Sequence, residues 1–171
     1  KFRFDPFDPN SLSSNFIYTI WEDEKQGSIW LGTNDGLCKF DRYSEKFTRY
    51  KPDPKSKFAD PNISAINEDR NGMMWVSNFG GLCRFDRQTG KFLPDSFDVS
   101  GAICKDKAGD LWIGGGGLHQ LVVQPAKPGK LSEVKIKSYW PAPANPDSLS
   151  DGHVSSVYGD KDGILWIATN K

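Results

Sequence analysis

The sequence predicts an all-β fold, specifically a β-propeller fragment built of four-stranded antiparallel blades, and three observations carry that prediction. A motif recurs four times, with its tryptophan at Trp30, Trp75, Trp112 and Trp166, so that successive copies lie 45, 37 and 54 residues apart. That period is close to the length of a propeller blade. The 171 residues include 17 Gly, 11 Pro and 6 Trp and few long helix-forming stretches, which is the composition of short strands joined by tight turns. Finally, each copy opens with an apolar run that ends at an Asp and is followed within four residues by a Gly.

The elements follow in order along each copy. The first strand is apolar at Ile17 and Ile20, Ile63 and Ile66, Ile103, or Val154 and Val157, and it ends at Asp23, Asp69, Asp106 or Asp160. Asp accepts hydrogen bonds from the backbone of its own turn while Gly27, Gly72, Gly109 or Gly163 supplies the positive φ, so each Asp-to-Gly segment reads as a hairpin. The second strand carries the Trp. A second hairpin is expected at Asn34-Asp35-Gly36, at Asn78-Phe79-Gly80-Gly81 and at the glycine run Gly114 to Gly117. The third strand is LCKFD, LCRFD or LHQLV, and the fourth is read at Lys46 to Tyr50, Lys91 to Leu93 and Val134 to Tyr139, with Pro94 just past the second of these. Proline tolerates only a strand end or an edge, as an outermost strand provides.

Taken together, the reading gives three complete blades at 16–50, 63–95 and 99–140, the first two strands of another at 154–171, and an outermost strand of a preceding blade within 1–7, at Phe2 to Phe4. A sheet that is apolar on both faces cannot bury both alone, so neighbouring blades must cover it and the Trp side chains should fill the space between them. The opening KFRFDPFDPN and the closing LWIATNK lead to the expectation of a piece of a longer chain. An open arc of blades exposes edge strands, so self-association, or contact with other blades of the same propeller, is also expected.

Charge and chemistry narrow the function classes. Lys plus Arg number 22 and Asp plus Glu number 22, so no net field draws this segment to nucleic acid or to a membrane surface. No apolar stretch reaches the roughly 20 residues that cross a bilayer. Cys38, Cys83 and Cys104 are read as buried free thiols, and they lack the spacing of a zinc site. Asp160-Lys161-Asp162-Gly163 starts like a calcium loop, but Ile164 and Leu165 follow where oxygen ligands are needed. The adjacent acids Glu22-Asp23 and Glu68-Asp69 point to opposite faces of a strand and form no acid/base pair. Hence no catalytic residue, metal ligand or cofactor is assigned. His119, at the position of Cys38 and Cys83, is read as a packed strand residue.

The segments WEDEKQGSIWLGTNDGLCKFD and INEDRNGMMWVSNFGGLCRFD, with the lead-ins DPNSLSSNFI and NPDSLSDGHV, resemble the two-component regulator propeller repeat. The resemblance implies the periplasmic sensor region of a hybrid two-component histidine kinase, in which propellers detect oligosaccharides and the kinase lies elsewhere in the polypeptide. The third copy departs from the pattern, with four glycines for Gly-Thr-x-x-Gly and Leu121-Val122 for Phe-Asp.

Propeller topology puts the second-to-third turns and the lead-in loops on one face, near the channel mouth. Asn34, Asp35, Asn78 and Phe79 from the turns, and Trp140 and His153 from a lead-in loop, are therefore the candidate ligand-binding residues. Amides and carboxylates bind hydroxyls and an aromatic face covers the apolar side of a sugar ring, so these loops supply the groups that the oligosaccharide implied by the resemblance would need. Two alternatives stand beside this: a protein-interaction or dimerisation propeller without a small ligand, and a quinoprotein-like or lyase propeller enzyme. The glycine run should expose bare backbone, and either a ligand or a neighbouring loop packs against it or this blade contributes nothing to recognition.

Overall fold

The computed structural model describes residues 1–125 and 130–171, and the strands within them are β1 (Ile17–Asp23), β2 (Ser28–Thr33), β3 (Gly36–Asp41), β4 (Lys46–Tyr50), β5 (Ala65–Glu68), β6 (Met74–Asn78), β7 (Gly81–Asp86), β8 (Lys91–Phe97), β9 (Ala102–Lys105), β10 (Leu111–Gly115), β11 (Gly117–Val123), β12 (Val134–Tyr139), β13 (Val154–Gly159) and β14 (Leu165–Thr169). They form three four-stranded antiparallel meanders, β1–β4, β5–β8 and β9–β12, and a two-stranded sheet, β13–β14. The structure is all-β and has the form of an open propeller fragment. Residues 126–129, within the blade expected at 99–140, lie outside the described residues.

The Asp turns form for the reason the residue types imply. In the second copy, Asp69 Oδ1 accepts the backbone N–H groups of Asn71 (2.8 Å) and Met73 (3.1 Å), while Gly72 takes φ +80. The same aspartates do a second job, because Asp69, Asp106 and Asp160 each accept the indole N–H of the tryptophan on the next strand, at 2.9, 2.9 and 2.8 Å. The first copy differs. Its turn is one residue longer, Asp23 Oδ2 is taken by Arg87 at 2.6 Å, and the buried Trp30 Nε1 has no partner among the described residues.

The core lies between sheets rather than within one. Trp30, Leu37 and Tyr50 of the first blade pack on Ile66, Met74, Val76 and Phe85 of the second, with Phe58 and Ile63 from the loop between them. Trp75, Leu82 and Phe97 of the second meet Leu111, Ile113 and Leu121 of the third. Innermost strands meet at every junction, β1 with β5, β5 with β9 and β9 with β13. A polar lace ties the first junction. Arg87 holds Asp23 of the first blade (2.6 Å) and Glu68 of its own (2.7 Å), while Lys25 reaches across to Glu68 (2.6 Å). Burial pushes the Glu68 carboxyl up, but the bonds from Lys25 and Arg87 outweigh it and hold the group below its ordinary value.

Two expectations are corrected. Pro94 sits inside β8, which runs to Phe97; the register between β7 and β8 shifts around it, between Cys83 and Phe85, so the missing N–H falls at a bulge on an edge strand. Phe2 to Phe4 form no strand, since Phe4 makes a single parallel bridge to Leu12. The segment instead lies on the outer side of the first blade, with the Phe2 ring 4.9 Å from Phe40 and 5.4 Å from Phe47. The hairpin expected at the glycine run is present between β10 and β11, with Gly114 and Gly115 in β10, Gly115 paired with Gly117 and Gly116 at the turn.

Candidate ligand-binding face

The second-to-third turns and the lead-in loops do share one face, and backbone hydrogen bonds seat one on the other. Gly36 N–H donates to Pro61 O at 2.8 Å, and Gly117 N–H to Gly152 O at 2.7 Å. The loop 51–62 also reaches the next turn, where Asn78 Nδ2 donates to Asp60 O at 2.6 Å. Asn34, Asp35, Asn78 and Phe79 are thus gathered around one loop.

Their roles separate once their partners are counted. Asn78 is 1% exposed, and its amide oxygen accepts Gly80 N–H at 2.8 Å while its nitrogen is committed to Asp60. It builds the turn, and its burial keeps it from a ligand, contrary to the expectation from its residue type. Phe79, at the tip of the same turn, is 76% exposed. Asn34 is half-buried, with its N–H on Phe16 O at 3.3 Å. Asp35 is half-buried too and pairs with Lys51 Nζ at 2.7 Å, which leaves a carboxylate and an ammonium side by side at the surface.

Trp140 and His153 form a second group, one blade on. His153 is exposed and bridges Gly116 through its backbone. Trp140 stands at 54% exposure with its ring against Gly117 and edge-on to His119, 5.7 Å away. His119 is buried as a packed strand residue. Its Nε2–H donates to Gly116 O at 2.8 Å, which leaves Nδ1 to accept the Ser138 hydroxyl at 2.9 Å. The imidazole therefore ties the glycine turn to β12 and holds the floor under Trp140.

The glycines are explained by neighbouring chain, not by an anion. A Cβ on Gly114 would lie 2.6 Å from Val154 Cγ1, and one on Gly115 would lie 2.0 Å from Ser100 O. Sequence reasoning missed Phe16 and Tyr18, which are 69% and 53% exposed; the Tyr18 hydroxyl faces Asn62 Oδ1 at 3.5 Å. Their signal was present, because Tyr18 occupies a position where the second and fourth copies carry Ser64 and Ser155.

A groove of about 500 Å³ between the third blade and the β13–β14 sheet also has aromatic and polar walls, including Trp112, Tyr139, Asn145 and Asp147. Its counterpart between the first two blades is filled by Phe85 and Phe92, which pack against Trp30, Tyr50 and Phe58. The groove is therefore blade-to-blade packing space, and its aromatic lining has that explanation before any ligand. Among the described residues no group of three or more His, Cys, Asp or Glu could hold a metal ion.

Stacked four-stranded blades with loops gathered on one face define a β-propeller module. Residues 93–117 and 148–171 match the family model described as two component regulator propeller. Solved structures with the same fold include the extracellular domain assigned to hybrid two component system BT4673 of B. thetaiotaomicron, at TM-score 0.76 and 23% identity over 97% of this chain and 22% of that one. Another is the corresponding domain of BT3049 from the same organism, at TM-score 0.61 and 22% identity over 98% of this chain and 27% of that one. A structure assigned to a gluconolactonase matches at TM-score 0.62 and 12% identity, over 88% of this chain and 56% of that one. At these identities the likeness is one of fold, and this chain spans about a quarter of the first two domains. No curated protein matches the sequence.

Proposed function

We propose that this chain is a non-enzymatic, ligand-sensing propeller segment of an extracytoplasmic, periplasmic sensor in a hybrid two-component histidine kinase, and that its ligand is an oligosaccharide. The observation that carries the reading is the arrangement on the loop face. Phe16, Tyr18, Phe79 and Trp140 leave aromatic surface open there, beside the Asp35–Lys51 pair and His153. Exposed aromatic rings beside hydrogen-bonding groups are the chemistry a sugar ring requires. The family match and the shared fold with extracellular domains of hybrid two-component systems support the cellular setting.

Titration of the chain against an oligosaccharide library, read by calorimetry, tests the proposal. Binding by the wild type that falls about tenfold or more in Trp140→Ala or Phe79→Ala, the loss of one stacked aromatic at roughly 1–2 kcal/mol, supports it. Failure of every oligosaccharide to bind, or binding indifferent to both substitutions, overturns the ligand or its location.

A further inference from the structure

Four aspartates occupy one position of the repeat; three bond the tryptophan of their own blade, while the first bonds an arginine of the next. We propose that Asp23, Trp30 and Arg87 form a two-position switch inside the first blade junction, in which the Asp23 carboxylate passes between Arg87 of the second blade and the Trp30 indole of its own. The inference does not depend on the ligand reading above.

The reach needed for the second position is present. Asp23 stands opposite Ser28, two residues before Trp30 and on the same face of the strand. Asp69, Asp106 and Asp160 likewise donate their N–H to Met73, Asp110 and Ile164, each two residues before its tryptophan. The extra residue of the first turn is therefore absorbed between Asp23 and Ser28, and the carboxylate keeps its register to the indole. What differs is the competitor. Arg87 follows the Phe85-Asp86 pair of the second blade, and its equivalent in the third blade is the buried Val123. Asp69, with that valine in the next blade, keeps Trp75 at 2.9 Å. Asp23, with Arg87 there, gives Oδ2 to the guanidinium at 2.6 Å, and the fully buried Trp30 Nε1 has no partner among the described residues.

Both positions keep the charged groups bonded, as exchange between states of similar free energy requires. On leaving Asp23, Arg87 Nη2 keeps two acceptors in its own blade, Glu68 Oε2 at 2.7 Å and Gly72 O at 2.6 Å. On leaving Arg87, Asp23 keeps the Gln26 N–H at 3.1 Å and gains the indole donor that its three counterparts already hold. The other tie across this junction, Lys25 to Glu68, is made by a side chain that is 73% exposed and is readily rehydrated. The second junction shares no acceptor in this way. Asp69 is already bonded to its own Trp75, and Asp110 gives one oxygen to Arg70 across the junction and the other to Gln120 of its own blade. Of these two junctions, the first is the one built to loosen.

Indole N–H resonances, assigned by single tryptophan-to-phenylalanine substitutions, test the switch. In the wild type the Trp30 resonance should carry a relaxation-dispersion contribution from exchange on the microsecond-to-millisecond scale, and those of Trp75 and Trp112 should not. Arg87→Met should move the Trp30 resonance downfield to a single position near that of Trp75 and abolish its dispersion. In urea unfolding, Trp30→Phe should then lower the folding constant about tenfold or more beyond its effect in the wild type, the weight of a hydrogen bond to a charged acceptor. Trp112→Phe should cost the same in both backgrounds. Arg87→Lys keeps a cation beside Glu68 but lacks the two-armed guanidinium; it should shift Trp30 in the same direction and takes the place of Arg87→Met should that variant not fold. A Trp30 resonance free of exchange in the wild type overturns the proposal. So does one that stays in place in the folded Arg87 variant with the cost of Trp30→Phe unchanged.

Discussion

The indole nitrogens of Trp30 and Trp75 provide a matched pair for measuring what the Asp–Trp bond contributes. Both rings are fully buried, and each lies under a cation, Lys39 Nζ at 5.6 Å and Arg84 Cζ at 5.0 Å from the ring centre. Only Trp75 has an acceptor, Asp69 Oδ2 at 2.9 Å. Replacing either with Phe removes the same volume from a blade junction, so the packing cost is common to the two. Trp75→Phe also loses a hydrogen bond to a charged acceptor, about 1.5–3 kcal/mol, whereas Trp30→Phe removes an unsatisfied buried donor and recovers about 1–3 kcal/mol. At the low end of both ranges the two variants differ by about 2.5 kcal/mol, or roughly 5–10 °C in thermal midpoint for a domain of this size. Urea and thermal unfolding followed by circular dichroism read the difference without relying on tryptophan emission. Equal losses in the two variants would refute the reasoning, and a larger loss for Trp30→Phe would reverse it.

Other perturbations test the junctions separately. Because the folded Glu68 carboxyl lies below its ordinary value, its stabilising contribution is present above the ordinary carboxylate range and is lost as pH falls through the folded value. Glu68→Gln should therefore cost roughly 3 kcal/mol near neutral pH, and its deficit in urea midpoint should shrink as the solution is acidified. Gly114→Ala puts a methyl 2.6 Å from Val154. It should cost about 1–3 kcal/mol by overpacking and raise hydrogen exchange in β13, while Gly116→Ala, with nothing within 4 Å, serves as the silent control. Burial, and then the nearby Asp95 carboxylate, push the Cys83 thiol up to about 12. All three cysteines are buried and free, so labelling by a thiol reagent should proceed only at the rate of unfolding, and rapid labelling in native buffer would contradict the packing.

The blades were legible because their signals are local. An Asp, a Gly within four residues and a Trp on the following strand fix a hairpin whatever surrounds it, and four copies of that pattern set the strand order. What escaped the reading depends on distant partners. Asn78 has the residue type of a ligand-binding turn, and only the arrival of the Asp60 carbonyl from another loop shows that its amide is already used. Trp30 lies in the repeat pattern as the other tryptophans do, yet it loses its acceptor to Arg87, which approaches Asp23 from 64 residues away in the chain. Pro94 marked a strand end by residue type, but an edge position with a bulge lets β8 continue past it. Of the candidate site, exposed aromatic residues such as Phe79 and Trp140 were readable from the topology of the turns. Phe16 and Tyr18 were not singled out, since aromatic residues at a strand start read equally well as core.

The loop 51–62 touches two blades within two consecutive residues, with Asp60 holding the Asn78 amide and Pro61 holding the Gly36 amide. Mechanically that is a crank with two bearings. A load applied at its surface cannot be absorbed by one turn alone, because the carbonyl that moves away from one blade takes its neighbour in the chain with it. The two neighbouring carbonyls thus tie the Gly36 turn of the first blade to the Asn78 turn of the second.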